Sequence, residues 1–266
     1  MIMLKLIDIH KTFNPGTINE KVALNGVDLH LNEGDFVTVI GGNGAGKSTM
    51  LNAVAGAWPV DSGKIIIGGT DVTKLSEYKR AAYLGRVFQD PMTGTAATMG
   101  IEENLALAKR RGKSRLLRPG ITRQEREEYH ELLKILGLGL EDRLTSKVGL
   151  LSGGQRQALT LLMATLKKPQ LLLLDEHTAA LDPKTAAKVL EITDMIVTRD
   201  HLTTMMITHN MRDAITHGNR LIMMWEGKII LDIQGEEKKK LTVKQLLDKF
   251  EEASGEEFSN DSAILG

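Results

Sequence analysis

Apolar residues follow two rhythms along the 266-residue chain, and the change between them separates an α/β core from a helical insert. "FVTVI" (Phe36 to Ile40) is a short β-rich run that ends in a glycine loop, and "KSTMLNAVAG" after it reads as a helix. "KIIIGG" (Lys64 to Gly69) and "GRVFQ" (Gly85 to Gln89) are further strands. From about Pro91 to Lys168 the spacing becomes helical, through "IEENLALAKR", "TRQEREEYHELLKILG" and "GGQRQALTLLMATLKK". Strands then return as "QLLLLD", "TTMMITH" and "RLIMMW", with "PKTAAKVLEITDMIVTR" and "NMRDAITHG" between them. "QLLLLD" is apolar throughout, the pattern of a strand covered on both faces of a parallel sheet.

The expected organisation is one domain over residues 1–235, with its core in 1–90 and 165–235 and a helical subdomain in 91–164. Residues 236–266 form a charged helix and tail, in which Leu241, Val243, Leu246, Leu247 and Phe250 share one face and predict docking onto the core. No internal repeat is present.

Composition narrows this little. Hydrophobic residues make up 42% and charged residues 26%, as in ordinary globular proteins. Lys+Arg and Asp+Glu are both 34, so net charge gives no reason to expect a nucleic-acid partner. Without cysteine there are no disulfides or thiolate metal sites. The start, "MIMLKLIDIHKTF", lacks the basic and apolar regions of a signal peptide, and no apolar run is long enough to span a bilayer. The expected location is therefore cytoplasmic, with membrane attachment supplied by something else.

The chemistry begins at "GGNGAGKST": Gly41, Gly42, Asn43, Gly44, Ala45, Gly46, Lys47, Ser48 and Thr49. It matches G-x-x-x-x-G-K-[ST] and lies between a predicted strand and a predicted helix, the context that motif requires. Glycines let backbone N–H groups surround a phosphate, and the helix adds its positive end. Lys47 can reach the outer phosphate oxygens, and the Ser48 hydroxyl can ligate Mg²⁺. The stretch "DEHTAALDP" (Asp175 to Pro183) admits three readings: metal ligands, an acid/base site, or the end of a nucleotide-binding strand. The apolar strand before it favours the third, with Asp175 serving Mg²⁺ and Glu176 polarising the attacking water.

"LSGGQ" (Leu151, Ser152, Gly153, Gly154, Gln155) lies shortly before that strand. In register with the other two motifs, it makes the chain resemble the ATP-binding-cassette (ABC) ATPases from Met3 to about Gly235. The implied fold is an α/β P-loop NTPase core with an inserted α-helical subdomain and an antiparallel β part near the N-terminus. The resemblance carries further roles to matching positions. Gln89 in "VFQD" corresponds to the glutamine that contacts Mg²⁺ and the attacking water. Asp182, ending "AALD", belongs to the loop that crosses the dimer interface, and as the residue before Pro183 it can also cap a helix. His209 in "MITHN" corresponds to the histidine that contacts the γ-phosphate. Phe13 in "KTF" takes the place of the ring that stacks on adenine, where the family more often has Tyr.

The resemblance also implies a head-to-tail homodimer with two ATP molecules, each held between one P-loop and the partner's "LSGGQ". One cassette and no long heptad array point to the separate ATPase subunit of a prokaryotic transporter. Its partners would be integral-membrane permease subunits, docked beside "DPMTGTAATM" (Asp90 to Met99), and indirectly an extracytoplasmic substrate-binding protein. "VFQDPMTGTAATM" and "DEHTAALDPKTA" are most similar to ATPases of tryptophan/tyrosine-type import systems. Two alternatives stand beside this: a soluble ABC ATPase acting on nucleic acid or ribosomes, and a regulatory subunit without turnover. Three details carry no such assignment. His177, where relatives carry Pro, Ala or Ser, is expected to turn from the γ-phosphate toward the interface loop in a structural or interface role. The basic "KRRGKSRLLRPG" (Lys109 to Gly120) reads as a solvated loop, with contact to anionic headgroups as the sharper reading. The tail is otherwise unassigned.

Overall fold

The computed structural model describes residues 1–112 and 120–255. Its framework is two sheets. The first joins β1 (Ile2–Phe13), β2 (Lys21–Asn32), β4 (Ser62–Ile67) and β5 (Thr70–Asp71) in the order β2-β1-β4-β5, all antiparallel. This is the antiparallel part that the family resemblance implied, and it captures the "KIII" strand. The second sheet contains β3 (Phe36–Gly41), β6 (Leu84–Val87), β7 (Leu171–Asp175), β8 (Thr204–Ile207), β9 (Arg220–Trp225) and β10 (Lys228–Gln234). Their order is β10-β9-β3-β8-β7-β6, parallel throughout except for the terminal β9–β10 hairpin.

Strand order fixes the site. β8 lies between β3 and β7, and β7 pairs with β6, so the C-terminal ends of all four open along one edge. Leu171 to Leu174 are fully enclosed, as the uniformly apolar run predicts. The helix α1 (Lys47–Ala55) leaves β3 through the glycine loop, and its far end is held by Arg80 of the short α2 (Glu77–Arg80). The Arg80 guanidinium, 2% exposed, donates to the Ala53 and Val54 carbonyls at 2.6 and 2.9 Å, satisfying groups a helix end leaves open.

The helical stretch is less continuous than its periodicity suggests. Residues 90–100 form turns, and helix begins with α3 (Ile101–Lys109). α4 (Arg123–Lys134) stops short of the "ILG" that the helical spacing includes, because the chain turns at Gly137 with φ 63°. α5 (Gly153–Thr165) begins at Ser152, whose Oγ accepts the Gln155 N–H while the Gln155 side chain accepts the Ser152 N–H, a reciprocal cap. α6 (Pro183–Asp200) is capped by Asp182, whose Oδ1 accepts the Thr185 N–H at 3.1 Å. After α7 (Met211–Thr216) and α8 (Gly235–Lys240), the last helix α9 (Val243–Ser254) packs Leu246 and Phe250 against Ile40, Leu221 and Met223 of the main sheet. The apolar face read in "LTVKQLLDKF" thus covers one face of the sheet around β9 and β10. Of the basic stretch, Lys113, Arg115 and Arg118 lie outside the described residues, as does 256–266 of the tail. Lys109 pairs with Glu128 of α4.

Candidate nucleotide site

The loop between β3 and α1 forms because its glycines accept backbone angles that other residues resist. Gly41, Gly44 and Gly46 have φ of 147°, 82° and 102°. Space is equally restrictive: a Cβ on Gly46 would lie 2.5 Å from the Ala23 carbonyl oxygen, and one on Gly41 would lie 2.3 Å from that of Met224. Lys47, at the start of α1, is 5% exposed and donates to the Gly41 and Gly42 carbonyls at 2.7 and 3.1 Å. Burial lowers its pKa, and the nearby Glu176 and Asp175 carboxylates oppose that.

A cleft of about 310 Å³ opens over this loop. Asn43 to Thr49 form its floor, Phe13, Lys21 and Ala23 one wall, and Glu176 and His209 the other. Phe13 is braced edge-on by Trp58, with ring centroids 5.1 Å apart. At the ends of β7 and β8, Glu176 and His209 meet, Oε1 to Nε2 at 2.6 Å. Glu176 adopts φ 46°, a left-handed conformation unusual for a non-glycine residue. The His209 hydrogen bond holds its carboxyl below the usual carboxylate range despite partial burial.

Asp175, one residue earlier, has its pKa raised by burial, and the Arg86 guanidinium works against that rise. Arg86 is a site residue absent from the motif reading. On β6 it shares a face with Leu173 and Asp175, places Nη2 3.5 Å from Asp175, and donates to Asn52 of α1 at 2.7 Å. An arginine in the middle of "LGRVF" was the available signal.

Other expected residues stand outside the cleft. Gln89 is exposed beyond the end of β6, and Asp182 is exposed at the cap of α6. Leu151 to Gln155 do not line the cleft; Ser152, Gly154 and Gln155 border a separate cavity between α5 and α6. Gly154 permits that approach, since a Cβ there would come 2.1 Å from Thr185 Cγ2. His177 turns away from the cleft, as expected, but goes past the interface loop and buries against the middle of α6, with Nε2 3.1 Å from Thr193 Oγ1. No cluster of three or more His, Asp or Glu suited to a metal exists among the described residues, so the carboxylates of "DEHTAALDP" do not form one centre.

A glycine loop between a parallel strand and a helix, with an acid ending a nearby strand of the same sheet, defines a P-loop nucleotide-binding protein. The chain belongs to the ABC transporter family, whose model matches residues 24–179. It is 44% identical over 256 residues to a tyrosine transport ATP-binding protein of Clostridioides difficile, an alignment covering 94% of this chain and all of that one. It is 35% identical to the methionine import ATP-binding protein MetN of Rhizobium etli over 86% of this chain, and spans 60% of that relative's length. Among solved structures it superposes on the dimeric cassette MJ0796 in a post-hydrolysis state with ADP and Pi, at TM-score 0.74 and 28% identity. That match covers 87% of this chain and 98% of the other. The protein is accordingly an ATP-binding, ABC-type ATPase, and no described helix is long and apolar enough to cross a membrane.

Proposed function

We propose that this ATPase is the energising subunit of a prokaryotic importer for an amino acid or similar small solute. The full-length likeness to a tyrosine transport ATP-binding protein carries the solute class, and the Glu176–His209 pair facing the glycine loop carries the chemistry. In this reading Phe13 stacks on adenine, the N–H groups from Asn43 to Thr49 surround the phosphates, and Lys47 leaves the loop carbonyls for phosphate oxygens. The Ser48 hydroxyl, the Asp175 carboxylate and the Gln89 side-chain oxygen are hard oxygen donors that suit Mg²⁺. Held by these residues, Mg²⁺ would supply neutralisation of charge on the phosphates. Burial raises the Asp175 pKa despite Arg86, so a cation held there would favour its charged form.

Glu176 then orients and polarises the attacking water, and His209, within hydrogen-bond reach of it, contacts the γ-phosphate. Two chains close head to tail, so that Leu151 to Gln155 of each cover the ATP of the other, with Asp182 in the loop between them. The positive end of α5 suits that role. Hydrolysis removes the γ-phosphate that favours the closed pair, so turnover opens and closes the dimer. Permease subunits docked beside Asp90 to Met99 transmit that motion, hold the protein at the inner face of the membrane, and receive solute from an extracytoplasmic binding protein. The division into one domain over 1–235, with a helical subdomain at 91–164 and an appended helix and tail at 236–266, belongs to this proposal.

The decisive experiment is Glu176→Gln. It should retain ATP, accumulate as an ATP-bound dimer and lose nearly all turnover; wild-type ATPase activity in this variant would refute the catalytic assignment. Co-purification with a membrane permease separates the transporter reading from a soluble ABC ATPase or a regulatory subunit.

A further inference from the structure

Lys21 belongs to none of the motifs, yet it enters the nucleotide cleft. It opens β2 directly opposite Phe13 of β1, so an aromatic ring and a primary ammonium leave the same rung of the antiparallel sheet. Both line the 310 Å³ cleft. The ammonium reaches the glycine loop itself, because a Cβ on Gly44 would lie 2.9 Å from Lys21 Nζ.

Charges nearby are already committed, whereas that of Lys21 is not. Glu20 beside it accepts the Gly16 N–H at 2.6 Å, and Lys11, the other cation near Phe13, pairs with Asp61 at 2.9 Å. Lys21 has no hydrogen-bond or ion-pair partner among the described residues. A lysine side chain has large rotational freedom, so an unpaired one resting against a phosphate-binding loop is free to follow an anion. The cleft also needs the charge. Asp175 and Glu176 place two carboxylates beside the glycine loop, opposed by Lys47 and, at Asp175, by Arg86, so a further cation adds charge of the sign a polyanionic ligand requires.

We propose that Lys21 is a nucleotide-binding residue: its ammonium grips the polyphosphate of ATP from the solvent side of the loop, while Lys47 holds it from the buried side. The proposal rests on the reading of the cleft as the ATP site. Because Lys21 acts on phosphate charge, it should discriminate by phosphate number and lose force as salt screens it. A charge-assisted hydrogen bond at an exposed position corresponds to roughly a five- to twentyfold change in affinity.

The test is fluorescence titration of the full chain and of Lys21→Met and Lys21→Arg with MANT-labelled ATP, ADP and AMP, at low and high salt. The Met variant should lose ATP affinity by roughly five- to twentyfold, with under about twofold loss for AMP and a weaker salt dependence. The Arg variant should keep most of the affinity. Unchanged ATP binding by Lys21→Met would overturn the inference, as would equal losses for ATP and AMP, which would assign the side chain to the base, the ribose or the hairpin. Failure of the wild type to bind ATP would instead sink the reading of the cleft, and this inference with it.

Discussion

His177 supplies the sharpest test of how the end of β7 divides its labour. The imidazole is 2% exposed, and its Nε2 lies 3.1 Å from Thr193 Oγ1. The Thr193 hydroxyl donates to the Val189 carbonyl at 2.8 Å, so its oxygen accepts from His177, which places the single ring proton on Nε2. Burial, with a smaller contribution from His217, lowers the pKa from 6.5 to about 4. The folded protein therefore keeps this ring neutral where the unfolded chain takes up a proton. Its contribution to stability is fully present above the unfolded pKa and is lost as pH falls from about 6.5 toward 4. Between pH 7 and pH 5 the linkage amounts to about 2 kcal/mol, at about 1.36 kcal/mol per pH unit below 6.5. Glutamine at this position can still donate to Thr193 but does not titrate. Urea unfolding of the wild type and His177→Gln at pH 7 and pH 5 should show the wild type losing roughly 1–2 kcal/mol more than the variant. Equal losses would refute the buried neutral histidine. Hydrolysis at neutral pH should survive the substitution; if it vanished while ATP-driven dimerisation persisted, His177 rather than His209 would belong to the chemistry.

Two further outcomes follow from packing around the cleft. Gly46→Ala must place a Cβ 2.5 Å from the Ala23 carbonyl at φ 102°, so MANT-ATP affinity should fall by about tenfold or more while helix content measured by circular dichroism is retained. Phe250→Ala should destabilise the fold by about 3–5 kcal/mol in chemical unfolding, as loss of a fully enclosed ring does. Because Phe250 packs edge-on to Trp225 at 5.2 Å, and the Trp225 ring lies beside Gly42, the same variant should shift tryptophan emission and weaken ATP binding. Unaltered emission would show that α9 is not coupled to the loop.

Much of the core was legible because the signal was local. "FVTVI", "QLLLLD", "TTMMITH" and "RLIMMW" are short apolar runs with clear ends, and each became a strand of the parallel sheet. The first twelve-residue strand was harder to read. Its inward positions Leu4 and Leu6 are followed by Ile9, because Asp8 takes φ 48° and shifts the register, so strict alternation breaks. Residues 90–100 mixed apolar positions with Gly94 and several threonines, and the chain used them for turns.

The glycine loop, the acid after β7 and the cap at Ser152 were determined by sequence alone. Each is a contiguous run whose backbone chemistry, positive φ, a strand end or a helix start, is decided within a few residues. Tertiary structure alone decided which residues share the cleft. Lys21 lines it opposite Phe13, while Arg86 stands behind it against Asp175 and Trp225 beside Gly42, and strand register with the insertion of β8 between β3 and β7 sets all three, which no spacing along the chain encodes. It also decided between two histidines in similar settings, both just beyond a strand end. His209 pairs with Glu176 on one wall of the cleft, while His177 follows the left-handed turn at Glu176 into the core, because that backbone reversal sends neighbouring side chains to opposite sides.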